Sequence, residues 1–159
     1  MELVGVRVEM PNSSPIALLR ELGGEQRVLP IFIGTPEATA IAFALEEVVT
    51  PRPMTHDLFC STLEEFGVSL EKVLITEVRD GVFYAELELT APDGVHTVSS
   101  RPYDALALAA RTGSPIYATE ELLAEAGFVE VDEDEVDDAE VVEQFKEFID
   151  SVNPEDFAS

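Results

Sequence analysis

One helix is written into this chain twice, and that repetition restricts the fold more than any other feature. Residues 35–45 read TPEATAIAFAL and residues 101–111 read RPYDALALAAR. With Glu37 set against Asp104, Glu-Ala-Thr-Ala-Ile-Ala runs alongside Asp-Ala-Leu-Ala-Leu-Ala. Ala38, Ala40, Ala42 and Ala44 in the first helix, and Ala105, Ala107, Ala109 and Ala110 in the second, fall on all sides of the helical wheel. A helix that is small and apolar all round offers water no face, so it belongs at the centre of a domain. Thr35 is predicted to cap the first helix, with Pro36 at its first position. Glu37 and Asp104 then lie in first turns, where an acid complements the helix dipole by about 0.3–1 kcal/mol.

The segments leading into these helices repeat as well. ELVGVRVEM (2–10) alternates as a strand does, and IALLREL (16–22) and RVLPIFIG (27–34) follow across the turns PNSSP and GGE. In the second half KVLITEVR (72–79) joins VFYAELELT (82–90) through Asp80-Gly81, a tight-hairpin signal, and VHTVSS (95–100) comes next. Each half reads β-β-β-α. The expected class is α+β: two β-β-β-α-like halves forming mixed or antiparallel sheet packed with helices.

Between the halves, Thr55 is a fair cap for a further helix with Leu58, Phe59, Leu63 and Phe66 at helical spacing and Gly67 as its stop. A short strand, PIYA (115–118), and a helix, TEELLAEAG (119–127), complete a domain of residues 1–129. Residues 130–159 hold an acidic linker (130–138) and an amphipathic C-terminal helix (139–152). The helix carries Val141, Val142, Phe145, Phe148, Ile149 and Val152 on one face, which its own domain, a sister subunit or another protein partner must cover.

At 159 residues and 46% apolar content the chain can bury one core. It has no apolar run of membrane length and no basic-then-apolar leader, so a cytoplasmic protein is expected, with no membrane partner. A single cysteine, Cys60, fits a reducing compartment and a core position. Nine basic residues face 33 acidic ones, a net charge of −24. Phosphate backbones are bound chiefly through Lys and Arg, so this balance argues against a general nucleic-acid binder. It suits divalent cations, basic partners or plain solubility.

Chemistry is concentrated at the helix entrances. If duplication brings the two small-residue helices together, Glu37 and Asp104 share a cleft able to hold a divalent cation or trade a proton; if not, each merely serves its helix dipole. His56, one of two histidines, sits beside Asp57 at another helix start and suits a base or a ligand. Arg52 and Arg101 each precede a proline, which fixes the backbone that aims the guanidinium. Arg101 is suited to clamping a phosphate, or equally to an internal salt bridge with Glu37 or Asp57. Ser99 and Ser100 are placed to add hydroxyls at the same entrance. His96, in a strand beside a turn, reads as surface.

LPIFIGTPEATAIAFAL, RPMTHDLF, GVFYAELEL and SSRPYDALALAARTGSPIYATEELL, in that order, resemble the bifunctional nuclease domain family over residues 2–127. The tail QFKEFIDSVNPEDF is similar to that of actinobacterial members. The resemblance implies a compact α+β fold, association into homo-oligomers (a dimer first) and cleavage of DNA, RNA or both. Glu37, His56, Asp57, Arg101, Pro102 and Asp104 match the family pattern, while Tyr103 stands where many relatives have serine. On this reading Glu37, Asp57 and Asp104 hold Mg²⁺ or Mn²⁺, His56 and Asp57 join in catalysis, with His56 as base or further ligand, and Arg101 stabilises charge on the phosphate. The alternative is a non-enzymatic binding or regulatory module: the polar cluster is structural or holds a small anion, and the acidic tail docks on a protein partner.

Overall fold

A computed structural model describes residues 1–9 and 14–129 of the chain; the acidic linker and the helix expected at 139–152 lie outside the described residues. Strands β1 (Glu2–Glu9), β2 (Ser14–Arg20) and β3 (Val28–Phe32) form an antiparallel meander followed by α1 (Thr35–Leu45). After α2 (Thr55–Glu65) the plan recurs: β4 (Ser69–Arg79), β5 (Val82–Ala91) and β6 (Gly94–Ser100), then α3 (Pro102–Thr112). Strand β7 (Ile116–Ala118) adds to β4 in parallel, making a mixed sheet of order β6-β5-β4-β7, and α4 (Glu120–Ala126) follows. The molecule is α+β with two β-β-β-α halves.

The alanine pattern explains how the halves meet. Six consecutive residues of α1, Ala38 to Phe43, are buried, and so are five of α3, Ala105 to Ala109. At 3.6 residues per turn, five in a row cover the whole circumference. Each helix has its own sheet on one side (α1 on β1 and β2, α3 on β4 and β5), and the two helices pack on each other. The buried side chains of both halves form one core, from Leu19, Leu29 and Ile31 to Val73, Ile75 and Leu106.

Local chemistry sets the ends of the elements. Asp80 and Gly81 have φ of 51° and 76°, the paired left-handed conformation of the tight β4–β5 turn. Gly67 and Gly113 follow α2 and α3 in the left-handed region, where helices stop most easily. Two caps differ from expectation. Gly34, not Thr35, is the N-cap of α1, and Met54, not Thr55, is that of α2. At α1 the reason is room. A Cβ on Gly34 would collide with Oε2 of Glu37, whose carboxylate folds back over the cap. At α2 the carboxylate of Asp57 reaches back from the first turn and accepts the free Met54 N–H at 2.9 Å.

Helix α2 is peripheral. It packs on α3 but buries none of its residues, and Leu58 and Phe66 stay exposed although their spacing predicts a covered stripe. Cys60 is half-buried against the core, and burial pushes its thiol pKa up. His96 lies on the surface with Asp93 at 2.9 Å. No helix among the described residues is long and apolar enough to cross a membrane.

Candidate functional site

The first turns of α1, α2 and α3 open onto a single cleft of about 270 Å³. Its lining includes Glu37 from α1, Met54 and His56 at the start of α2, and Arg101 and Asp104 at the start of α3. The placement follows from the fold: α1 and α3 pack together with their acids in equivalent first turns, and α2 lies against α3.

Asp104 is the hub. Its Oδ1 lies 3.2 Å from His56 Nε2 and accepts from Arg101 Nη2 at 3.1 Å, while its Oδ2 accepts from Arg101 Nε at 2.5 Å. Arg101 Nη1 reaches across to Glu37 Oε1 at 3.8 Å, and the guanidinium lies over the Tyr103 ring, 4.6 Å from its centre. The hydrogen bonds it donates to Asp104 hold Arg101 even more firmly protonated than usual. Its side chain nevertheless keeps 60% of its surface exposed, against 17% for His56 and 26% for Asp104. The result is a fixed cation at the rim and a sheltered imidazole–carboxylate pair inside.

Asp57 does not join this cleft. Its Oδ1 accepts from Arg111 Nε at 2.5 Å and its Oδ2 from the Met54 N–H. Burial opposes the Asp57 charge, but the bonds from Arg111 and Met54 outweigh it and hold the carboxyl below the ordinary aspartate range. Arg111, which closes the second repeated helix, carries a role the sequence reading passed over. Besides Asp57 it donates through Nη1 to the carbonyls of Ala40 and Ala107, both at 2.9 Å. One guanidinium thus ties α1, α2 and α3 together just behind the cleft. The available signal was a charged residue ending an otherwise apolar buried helix, one turn after Ala107.

The donor set does not fit a divalent cation as the side chains stand. Among the described residues no three His, Cys, Asp or Glu side chains converge as a metal cage. Both Asp104 oxygens are engaged by His56 and Arg101. The guanidinium of Arg101 bridges Glu37 and Asp104, the two acids a cation would have to link.

The Asp57 clasp has a measurable consequence. Asp57→Ala leaves the Arg111 guanidinium, only 10% exposed, without its carboxylate. The expected loss, discounted for the solvated Asp57 end, is roughly 1–3 kcal/mol in denaturant unfolding at neutral pH. Because the folded pKa of Asp57 is lowered, its contribution is present above the ordinary carboxylate value of about 3.9 and fades as pH falls through the folded value. The difference between the parent protein and Asp57→Ala should therefore shrink below about pH 4. An undiminished difference there would mean that Asp57 acts through packing rather than charge.

The Bifunctional nuclease domain profile matches residues 17–131, most of the chain. The chain belongs to the bifunctional nuclease domain family. Two Mycobacterium tuberculosis proteins are similar along nearly their whole length: "Uncharacterized protein Rv1829" of strain ATCC 25618 / H37Rv and "Uncharacterized protein MT1877" of strain CDC 1551 / Oshkosh. Each is 45% identical over 162 residues, covering 99% of this chain and 96% of the relative. The matched segment of this bifunctional nuclease domain contains the four ionisable residues that line the cleft, Glu37, His56, Arg101 and Asp104. It begins inside β2, although β1 pairs with β2 in the same sheet.

Proposed function

We propose that the cleft between the three helix starts cleaves phosphodiester bonds, with single-stranded RNA as the preferred substrate class. The observation that carries this reading is the His56–Asp104 pair with Arg101 fixed beside it. In the tautomer in which Nε2 carries the proton, Asp104 accepts it and Nδ1 is left with the lone pair of a base. Arg101 stabilises negative charge gathering on the phosphoryl oxygens. Asp57 and Arg111 position α2 and take no part in the chemistry.

A base and a cation suffice when the nucleophile is part of the substrate. In RNA the ribose 2′-hydroxyl lies next to the scissile phosphate. His56 removes its proton, the O2′–P bond forms, the P–O5′ bond breaks, and the imidazolium returns the proton to O5′. The products are a 2′,3′-cyclic phosphate and a free 5′-hydroxyl. DNA lacks that hydroxyl and would need an activated water, for which the described cleft supplies no converging set of metal ligands.

Asp104→Asn tests the assignment. The amide keeps the shape but loses the charge that orients His56 and holds Arg101. Cleavage of a single-stranded RNA oligonucleotide should fall by about a hundredfold or more, with the product ends unchanged. A substrate carrying one 2′-deoxyribose at the cut site should be spared by the parent protein. Unchanged cutting by Asp104→Asn, purified identically, would place the activity outside this cleft and favour a binding module. Cutting by the parent that requires Mg²⁺ or Mn²⁺ would return Glu37 and Asp104 to the part of metal ligands.

A further inference from the structure

The cleft does not end at Asp104. A second hollow of about 500 Å³ shares Thr55, His56, Arg101 and Asp104 with the first. Apart from Ser99 and Ser100, its remaining lining is apolar: Phe59, Leu87, Val98 and Leu108. Spacing explains why these four converge. Phe59 lies one turn beyond His56 on α2, and Leu108 one turn beyond Asp104 on α3, so each shares a helix face with a residue of the polar cluster. Leu87 and Val98 are direct cross-strand partners on β5 and β6.

The four divide into a floor and walls. Leu87 and Leu108 are buried, while Phe59 and Val98 remain 45% and 43% exposed. An apolar wall left in water directly beside a charged pair is the usual composition of a small-ligand pocket, whose volumes run from about 300 to 1,000 Å³. The polar end here is the proposed phosphodiester site. A flat heterocycle joined through a sugar to a phosphate matches both ends.

We infer that this hollow is a nucleobase subsite, in which the base of the nucleotide next to the scissile phosphate lies against Phe59 between Val98 and the Leu87–Leu108 floor. The inference rests on the phosphodiester reading of the cleft. It also accounts for the charge. With a net charge of −24 the chain repels a long polyanion, so affinity cannot come from many backbone phosphates. Base contact with one nucleotide supplies it instead, and affinity grows little with oligonucleotide length.

The test is calorimetric titration of the full chain with AMP, UMP and ribose 5-phosphate, which shares their sugar phosphate but has no base. Both mononucleotides should bind more tightly than ribose 5-phosphate. Phe59→Ala should weaken AMP binding by roughly tenfold and leave ribose 5-phosphate unchanged, whereas Phe59→Tyr keeps a stacking face and the affinity. Val98→Asp, at an exposed edge-strand position, should weaken AMP by placing a charge on the opposite wall. AMP and UMP binding no tighter than ribose 5-phosphate would overturn the subsite, as would AMP affinity unchanged in both Phe59→Ala and Val98→Asp. Either result leaves His56-dependent RNA cleavage standing. Conversely, base-dependent binding without His56-dependent cleavage would support the subsite and remove the RNA-cleaving role.

Discussion

His56→Ala protein should cut single-stranded RNA about a hundred to ten thousand times more slowly than the parent, the range expected when a general acid–base group is removed. The argument is geometric before it is chemical. His56 is the one imidazole lining the cleft among the described residues; the other, His96, pairs with Asp93 on the surface. Its ring is sheltered, its Nε2 is held by Asp104, and α2 is anchored independently through Asp57 and Arg111. Removing the ring therefore costs little structure, and the unfolding midpoint should stay close to that of the parent. Imidazole added to the buffer should restore part of the rate, which a purely structural role would not allow. The net charge adds a second signature: raising salt from a low value should speed cleavage in the parent, because screening weakens repulsion between two polyanions. Equal rates in parent and variant would show that the cleft does not do the cutting.

Leu106→Ala should cost about 2–5 kcal/mol of stability, a large part of the roughly 5–15 kcal/mol that holds a typical domain together. Leu106 is fully buried in α3, in the run whose neighbours on both sides are also buried. The helix that carries it packs on α1, on α2 and on strands β4 and β5. Such a site collapses poorly around a cavity, so the loss should fall toward the upper end of the range. Leu58→Ala is the matched control. Leu58 is 60% exposed on α2, and its removal should change stability by no more than about 0.5 kcal/mol. Equal losses at the two positions would mean that α2 is covered by something beyond the described residues.

Much of this architecture was legible because it rests on period and on small residues. The apolar segments and turn signals of the strands, the Asp80-Gly81 turn and the alanines of α1 and α3 each carry their own local physics, and the element order follows. The convergence of Glu37, His56 and Asp104 was legible only conditionally, since it needed the two helices to pack together. What stayed hidden was the direction in which each acid points. Asp57 is adjacent in sequence to His56, yet successive residues on a helix are turned apart by about 100°, so one faces the cleft and the other faces Arg111. The caps were misplaced by one residue: Gly34 and Met54 precede the helices, with Glu37 folded back over the first and Asp57 accepting the N–H of the second. Arg111 was missed because sequence cannot show that a helix end lies behind a cleft.

The two central helices match in order but not at their first residue. Gly34 caps α1 and Arg101 caps α3, so equivalent places hold nothing in one half and a guanidinium in the other. The hollow between them consequently has a handed distribution of charge, with the fixed cation of Arg101 on the α3 side. A guest with two unlike ends can lie across it comfortably in only one sense. For a nucleic-acid strand that sense is its 5′-to-3′ polarity, so threading the strand backwards would present the wrong oxygen as leaving group.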